Sequence, residues 1–488
     1  VIFWYEVKKQ DDKNNTVEYK YSYDDAITFL QNNGFYKYSL GSNKYQLIHV
    51  DADNHICEIV NELRVKEFMI EFLKDAPKER YNEYKRVREM FRRGAKNYVS
   101  SNILDGLEYY KPECKRDCAN TAYIYFKNCF LEINKEDIKQ KSYTELEGFI
   151  WRSQIKEFDF KTTKETGNFE RYLTLAIIGR KLKDGETHTE LDETRLLSVH
   201  TSVGYMIHQY KKPALAKAVI AVDKKKRSIG EPNGRTGKSL LGKGLARMLN
   251  QCFIDGPNFK FDYDFAWQKV EADTQFINFN DVPKNFPFDR LFGMITEELT
   301  INKKKLDNIV IPFSEAPKFY INTNYSLKGD GESNRGRQQI IEFSDYFNSK
   351  HSPYTEFGQT FFEEWDNEEW NRFFSFMVYC VKTYLQHNLV DFPLENYGLN
   401  KLIDAAGEDF IVFMDEHVIE YGAGRTVRLE VEKLFEKYVE EVKPPAYYKQ
   451  NTFSKQARDW ANVRDYTVNK HKNGERDRAN GVDWWTFE

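Results

Sequence analysis

The chain has few cysteines, no long apolar run and no excess of charge of either sign, and each shortage removes a class of protein. Six cysteines in 488 residues (Cys57, Cys114, Cys118, Cys129, Cys252 and Cys380) are too few and too scattered for a disulfide framework, and they suit a reducing, cytoplasmic compartment. Cys114 and Cys118 would share one helical face near Cys129, but the spacing is loose for zinc and no His lies close, so free thiols in a helical region are expected. The longest apolar run, Phe373 to Val381, is nine residues long and sits between charged flanks. A bilayer-crossing helix needs about 18 or more, so a membrane span is excluded. Lys and Arg total 72 against 76 Asp and Glu, a net charge of −4. Such a chain is no general polycation, although a small basic channel for DNA remains compatible with it. Its start, Val1-Ile2 followed by Glu6, Lys8 and Lys9, is no signal peptide, and without an initiator Met further sequence is expected upstream.

What is present is a core-forming composition, 41% apolar and 16% aromatic, too apolar for disorder and long enough for several cores. Residues 1–75 alternate strand-like runs (VIFWYEV, KYQLIHVDADN) with helix-like ones (DDAITFLQNNGF, VKEFMIEFL). They predict a small α+β unit with a helix stop at Asn32-Asn33-Gly34. Residues 76–205 are charged and aromatic with a mostly helical period and predict a collar-like helical region. Residues 206–395 switch to short apolar strands alternating with helices, the pattern of a parallel α/β core. Residues 396–488 predict two helices, VRLEVEKLFEKYVEEV and a second one near Asn451 or Thr452, followed by a β-ribbon, which suggests a winged-helix module. Between Lys449 and Arg478 there are eight Lys/Arg and four Asp/Glu, a local excess of positive charge inside an acidic chain.

Within 206–395 the strand-like AVIAVD (218–223) leads through a glycine-containing loop into the amphipathic SLLGKGLARMLN. The loop ends Gly234-Arg235-Thr236-Gly237-Lys238-Ser239-Leu240. Strand, glycine loop and helix form the setting in which backbone N–H groups cradle phosphates, a lysine neutralises the terminal phosphate oxygens and a Ser hydroxyl helps to hold Mg²⁺. Pro232 stands where the usual pattern has its first glycine. Forty-three residues beyond Lys238 the run FINF ends in Asn280-Asp281, and forty-three further on FYINT ends in Asn324. Those are the places for a metal- or water-directed acid and for a polar residue that orients the attacking water. Arg335 and Arg337 follow, and an arginine reaching a γ-phosphate from a neighbouring subunit typically contributes ~10³–10⁵ in rate. In LIHVDADNH, Asp51 and Asp53 form a strand-end DxD that lacks the further acids of a polymerase site and reads as a turn pair.

This order of motifs resembles the superfamily 3 helicases, AAA+ motors of viruses, phages and mobile elements, and within them the poxvirus-type and phage primase-helicases. The resemblance covers roughly 204–389 and rests on GRTGKS, FNDV, INTN and SNRGRQQIIEF. It implies an AAA+ P-loop NTPase core with an N-terminal α+β and helical region and a C-terminal winged-helix-like domain. It further implies an ATP- and Mg²⁺-dependent DNA helicase working as a homo-hexamer in a bacterial host's cytoplasm, with any primase or polymerase domain upstream of Val1. Carried over by position, Gly234 to Leu240 bind the phosphates, and Ser239 and Asp281 hold Mg²⁺. Asn324 becomes the sensor and Arg337 the finger, with Arg335 as runner-up. The family also places a DNA-gripping hairpin between the second and third motifs, where ELTIN-KKKLD-NIVIP sets Lys303, Lys304 and Lys305 at a tip that would hold a strand's phosphates. One departure is Asn280, where relatives carry a second acid. It keeps in view a weakly hydrolytic DNA-binding scaffold or loader, and a P-loop ATPase for packaging or defence is the rival enzyme reading.

Overall fold

The computed structural model of the protein describes residues 1–11, 14–39, 45–224, 235–271, 273–302, 309–327, 332–420 and 426–488. Gly234, the first residue of the glycine loop motif, and Lys303, Lys304 and Lys305 lie outside the described residues.

The chain opens with an antiparallel hairpin, Trp4–Asp11 with Asn14–Tyr21, and a helix, Tyr23–Asn32. The Ser22 side chain caps that helix, and it ends at the Asn-Asn-Gly run as the sequence predicts. Gly34 follows with φ +82°, and a Cβ there would lie 2.2 Å from the Val50 carbonyl oxygen, so only glycine fits. The apolar cluster begun here continues past residue 75 to Leu107, because the helix Tyr81–Tyr98 lays Tyr84, Val87 and Phe91 onto it.

The next stretch corrects an expectation. Residues 76–205 read as mostly helical, yet Thr121–Phe126, Cys129–Asn134 and Ile138–Lys141 form an antiparallel meander, joined in parallel by Ile155–Lys156. TAYIYF and CFLEIN are rich in aromatic and β-branched residues about a tight Lys127-Asn128 turn, which is a strand signal that the helical runs on either side obscure. Nor are Cys114 and Cys118 on a helix. Pro112 opposes one, and the two residues instead make single bridges to Phe149 and Thr121. Among the described residues no three His, Cys, Asp or Glu side chains gather into a metal-holding group, and no helix is long and apolar enough to cross a membrane.

The largest sheet has five strands: β1 (Ala218–Asp223), β2 (Gln251–Asp255), β3 (Phe276–Val282), β4 (Lys318–Thr323) and β5 (Gln338–Phe343). Their order is β2-β3-β4-β1-β5, and every pairing is parallel. All six residues of β1 and of β4 are buried, as expected of central strands covered on both faces. On one face pack α1 (Asn168–Ile178), α2 (Glu190–Ile207), α3 (Lys238–Met248) and α4 (Asn367–His387), sharing a single apolar cluster. Leu241, Leu245 and Met248 turn inward on α3, as its period predicts. Helices α2 and α4 approach so closely that a Cβ on Gly204 would lie 2.1 Å from the Cys380 carbonyl oxygen. The other face is covered by the segments around Phe259, Trp267, Phe286 and Leu291. Between β3 and β4 stand the two short antiparallel strands Leu299–Ile301 and Ile309–Ile311.

Residues 396–488 carry their own core, centred on Trp460 and Phe453. Val427–Glu430 pairs with Val482–Phe487, which pairs in turn with Asp477–Ala479, and the helices Val431–Val442 and Gln450–Val463 pack beside this sheet. VRLE is therefore a strand and not the first turn of a helix. The last helix begins at Gln450, ahead of the expected Asn451 or Thr452 cap.

Candidate functional site

In a parallel sheet all strands present their carboxyl ends at one edge, and ligands bind in the crevice there. The residues singled out from the sequence arrive at that edge from three directions. Thr236 to Ser239 open α3, Asn280 and Asp281 lie near the end of β3, and Asn324 follows β4, and there they meet Asp223 at the end of β1.

Lys238 is the hub. Its ammonium donates to the Asp223 carboxylate, to Thr236 Oγ1 at 3.1 Å and to Asn324 Oδ1 at 3.0 Å. Thr236 donates to the same Asp223 oxygen at 2.7 Å. The ion pair is nearly dry, with the Lys238 side chain 6% exposed and that of Asp223 3%. Asp223 is the residue that sequence reading misses. Its one signal is a carboxylate closing an otherwise apolar strand, and such a residue normally passes for a turn.

Gly237 adopts φ +101°, and a Cβ there would press within 2.8 Å of the Tyr172 ring. The Tyr172 hydroxyl donates to the Gly237 carbonyl at 2.7 Å, and that of Tyr320 donates to the Lys238 carbonyl at 2.6 Å. The start of α3 is thus held through the carbonyls of Gly237 and Lys238. Arg235 is exposed with φ +63°, Ser239 is exposed, and Leu240 donates its N–H to the Gly237 carbonyl at 2.7 Å.

A β-bulge in β3 places the second motif. Its register with β4 shifts between Phe279 and Val282, and Asp281 sits at φ +55° in the left-handed region. A regular strand would send Asn280 and Asp281 to opposite faces. Here Asn280 Oδ1 accepts from Ser239 Oγ at 3.0 Å and from Asn322 Nδ2 at 3.1 Å. Asp281 Oδ1 accepts from Asn324 Nδ2 at 3.1 Å, and Asp281 N–H donates to Asn322 Oδ1 at 2.9 Å. The position expected to be acidic is thus an amide that holds the Ser239 hydroxyl, and the exposed carboxylate of Asp281 is aimed beside it.

The two arginines lie elsewhere. They precede β5, at the sheet edge opposite the loop, about 20 Å away at ~3.3 Å per strand residue. Neither can enter its own chain's crevice. Arg337 is tied to the Ser333 carbonyl (3.0 Å) and hydroxyl (2.7 Å) and lies over the Phe292 ring at 4.8 Å, whereas Arg335 is exposed. The DxD pair is a turn, with Asp51 accepting from Asn54 N–H at 3.1 Å and Nδ2 at 2.8 Å.

The same sheet edge anchors the start of the C-terminal region. Asn396 Nδ2 donates to the Lys224 carbonyl at 2.9 Å and Asn400 Nδ2 to the Asp223 carbonyl at 3.4 Å. Buried Glu342 of β5 accepts the N–H groups of Glu395 and Asn396 at 2.7 and 3.1 Å. Lys224 and Arg195 both pair with Glu395, at 2.8 and 2.7 Å.

No protein-family description matches the chain, and no curated protein does. Among solved structures it is similar to the apo C-terminal region of NrS-1, with 15% identity and a TM-score of 0.42 over 95% of this chain and 98% of that one. It is also similar to a shorter version of that region, with 14% identity and a TM-score of 0.34 over 75% of this chain and 96% of that one. Likenesses this distant carry no argument about fold or activity, so the functional reading rests on the site itself.

Proposed function

We propose that the protein is an ATP-dependent DNA helicase with an AAA+ core of the superfamily 3 kind, the motor part of a phage-type primase-helicase. The observation that carries this reading is the convergence of Thr236, Gly237, Lys238 and Ser239 with Asp281 and Asn324 at the carboxyl edge of one parallel sheet.

The residues present fit a nucleoside triphosphate. The left-handed Gly237 lets backbone approach a phosphate closely, α3 offers its N-terminus, and the Lys238 ammonium is already held where such a phosphate would lie. Ser239 and Asp281 would hold Mg²⁺, which when bound neutralises charge on the phosphates. Asn324 touches both Lys238 and Asp281, so it is placed to orient a water between them. Arg337 or Arg335 of a neighbouring subunit would complete the site, which calls for a ring, in the family's usual form a hexamer. DNA would be held by Lys303, Lys304 and Lys305, which lie in sequence between Leu299–Ile301 and Ile309–Ile311, and by the winged-helix-like C-terminal region.

The test is ATP hydrolysis with and without single-stranded DNA, beside Lys238→Ala. Turnover that DNA stimulates and the substitution abolishes is expected, followed by unwinding of a forked duplex. One observation favours a second reading, a nucleotide-binding scaffold of low turnover: Asn280 holds the Ser239 hydroxyl where relatives place an acid. Nucleotide binding and assembly without DNA-stimulated turnover would select it.

A further inference from the structure

The edge of the parallel sheet opposite the glycine loop borders a second cavity, of about 320 Å³. Its floor is formed by the segments that enter β1, β3 and β4, and its roof by the 121–156 sheet together with Tyr38 and Trp151, whose rings meet edge to face at 5.5 Å. That volume lies at the lower end of the range for small-molecule sites.

The polar groups turned into this space are unevenly matched. Lys211 is 9% exposed, and among the described residues its ammonium has no hydrogen-bond acceptor, only the face of Phe313 at 4.4 Å. Tyr125 is 4% exposed and its hydroxyl likewise has no partner among the described residues. Lys156 donates to the Gln154 carbonyl at 2.7 Å, which leaves an ammonium with further hydrogens to place. Behind Lys211 lies buried Lys318, whose amine donates to the Tyr205 and His208 carbonyls and whose ordinary pKa desolvation lowers strongly. Against these stands the Asp117 carboxylate, which already accepts the N–H groups of Tyr123 at 2.8 Å and Gln209 at 2.7 Å. At the rim Arg116 pairs with Glu315 at 2.7 Å and Lys115 with Glu147 at 3.5 Å, and Asp273 adds a second carboxylate to the lining. Desolvation draws Lys211 down to about 8 and Lys156 to about 7, and pushes Asp117 up to about 6. Buried donors without acceptors favour an anion, which would also restore charge to the lysines, and aromatic walls favour a flat organic body attached to it.

We propose that this cavity binds a nucleoside monophosphate or a phosphate ester of that size, its phosphate held by Lys211, Lys156 and the Tyr125 hydroxyl. The site is about 20 Å, one strand length, from Lys238 and does not rest on the ATPase reading. A free nucleotide and the 5′-phosphate end of a DNA strand share this chemistry, and the small volume favours the free nucleotide.

Calorimetric titration of the full chain, with the Lys211 and Lys156 variants assigning the site, tests this with AMP, inorganic phosphate and a 5′-phosphorylated trinucleotide. We expect one AMP per chain, bound more tightly than either other probe and weakened at least tenfold by Lys211→Met and by Lys156→Met. Lys211→Met should not lower the melting temperature of the ligand-free protein, because it replaces an unpartnered ammonium with an apolar side chain of similar length. Absence of AMP binding at millimolar concentration would overturn the proposal. So would unchanged affinity in a folded Lys211→Met protein, or equal or tighter binding of inorganic phosphate or of the trinucleotide.

Discussion

Replacing Asp223 by Asn should destabilise the free protein and tighten its hold on nucleotide. In the structure this carboxylate is the counter-charge of Lys238, and the pair is almost fully shielded from water. Removing one member of a buried pair typically costs about 3–5 kcal/mol, because the other is left buried and uncompensated. Lys238 retains Thr236 Oγ1 and Asn324 Oδ1 as acceptors, so the low end, about 3 kcal/mol, applies. At ~2–4 °C per kcal/mol for a domain of this kind, the ligand-free melting temperature should fall by ~6–12 °C. A bound triphosphate supplies Lys238 with negative charge whether or not Asp223 is ionised. The deficit should therefore vanish on binding, and affinity should rise by about two decades, since ~1.4 kcal/mol is tenfold. Thermal melts with and without a non-hydrolysable ATP analogue, together with a fluorescent-nucleotide titration, read both quantities. A variant with an unchanged melting temperature and unchanged or weaker nucleotide binding would refute the idea that Asp223 competes with phosphate for Lys238.

Asn280→Asp puts a carboxylate where an amide now holds the Ser239 hydroxyl. Turnover in a phosphate-release assay should rise roughly tenfold to a hundredfold, the low end for a positioned carboxylate, and no rise would remove Asn280 as the limiting residue. Gly204→Ala should cost about 3 kcal/mol by forcing α2 from α4, seen as a lower urea midpoint at constant slope. His208 is buried against the Cys118 carbonyl (2.8 Å), and desolvation lowers it to about 4. Between pH 6.5 and 4 the unfolded chain binds a proton that the folded one refuses, so stability falls as pH drops through this window, by ~2 kcal/mol at pH 5. His208→Gln keeps a polar side chain for Cys118 and should shrink the stability difference between pH 7 and pH 5 by that amount in urea titrations.

The parallel core was legible because its signals are local. AVIAVD, FINF and FYINT are short apolar runs with polar ends, and their spacing placed Asp281 and Asn324 within a hydrogen bond of each other. The missed features are those in which partners far apart in sequence decide the outcome. Asp223 meets Thr236 and Lys238, 13 and 15 residues further along the chain, so its role appears only when the strand end and the helix start come together. The bulge that turns Asp281 exists in the register between β3 and β4, which no single strand encodes. The 121–156 meander was hidden for another reason, since charged residues dilute its alternation and strong helical periods flank it.

The anchoring of residues 396–400 on the tip of β1 has a mechanical meaning. Asp223 takes hold of Lys238 through its side chain and of Asn400 through its own carbonyl, so a single residue is both latch and mooring. With Glu342 fastening the neighbouring turn by two more bonds, there is no slack line between the crevice and the root of the C-terminal region. A shift of the Asp223 backbone would therefore be felt at both bonds, the one to Lys238 and the one to Asn400.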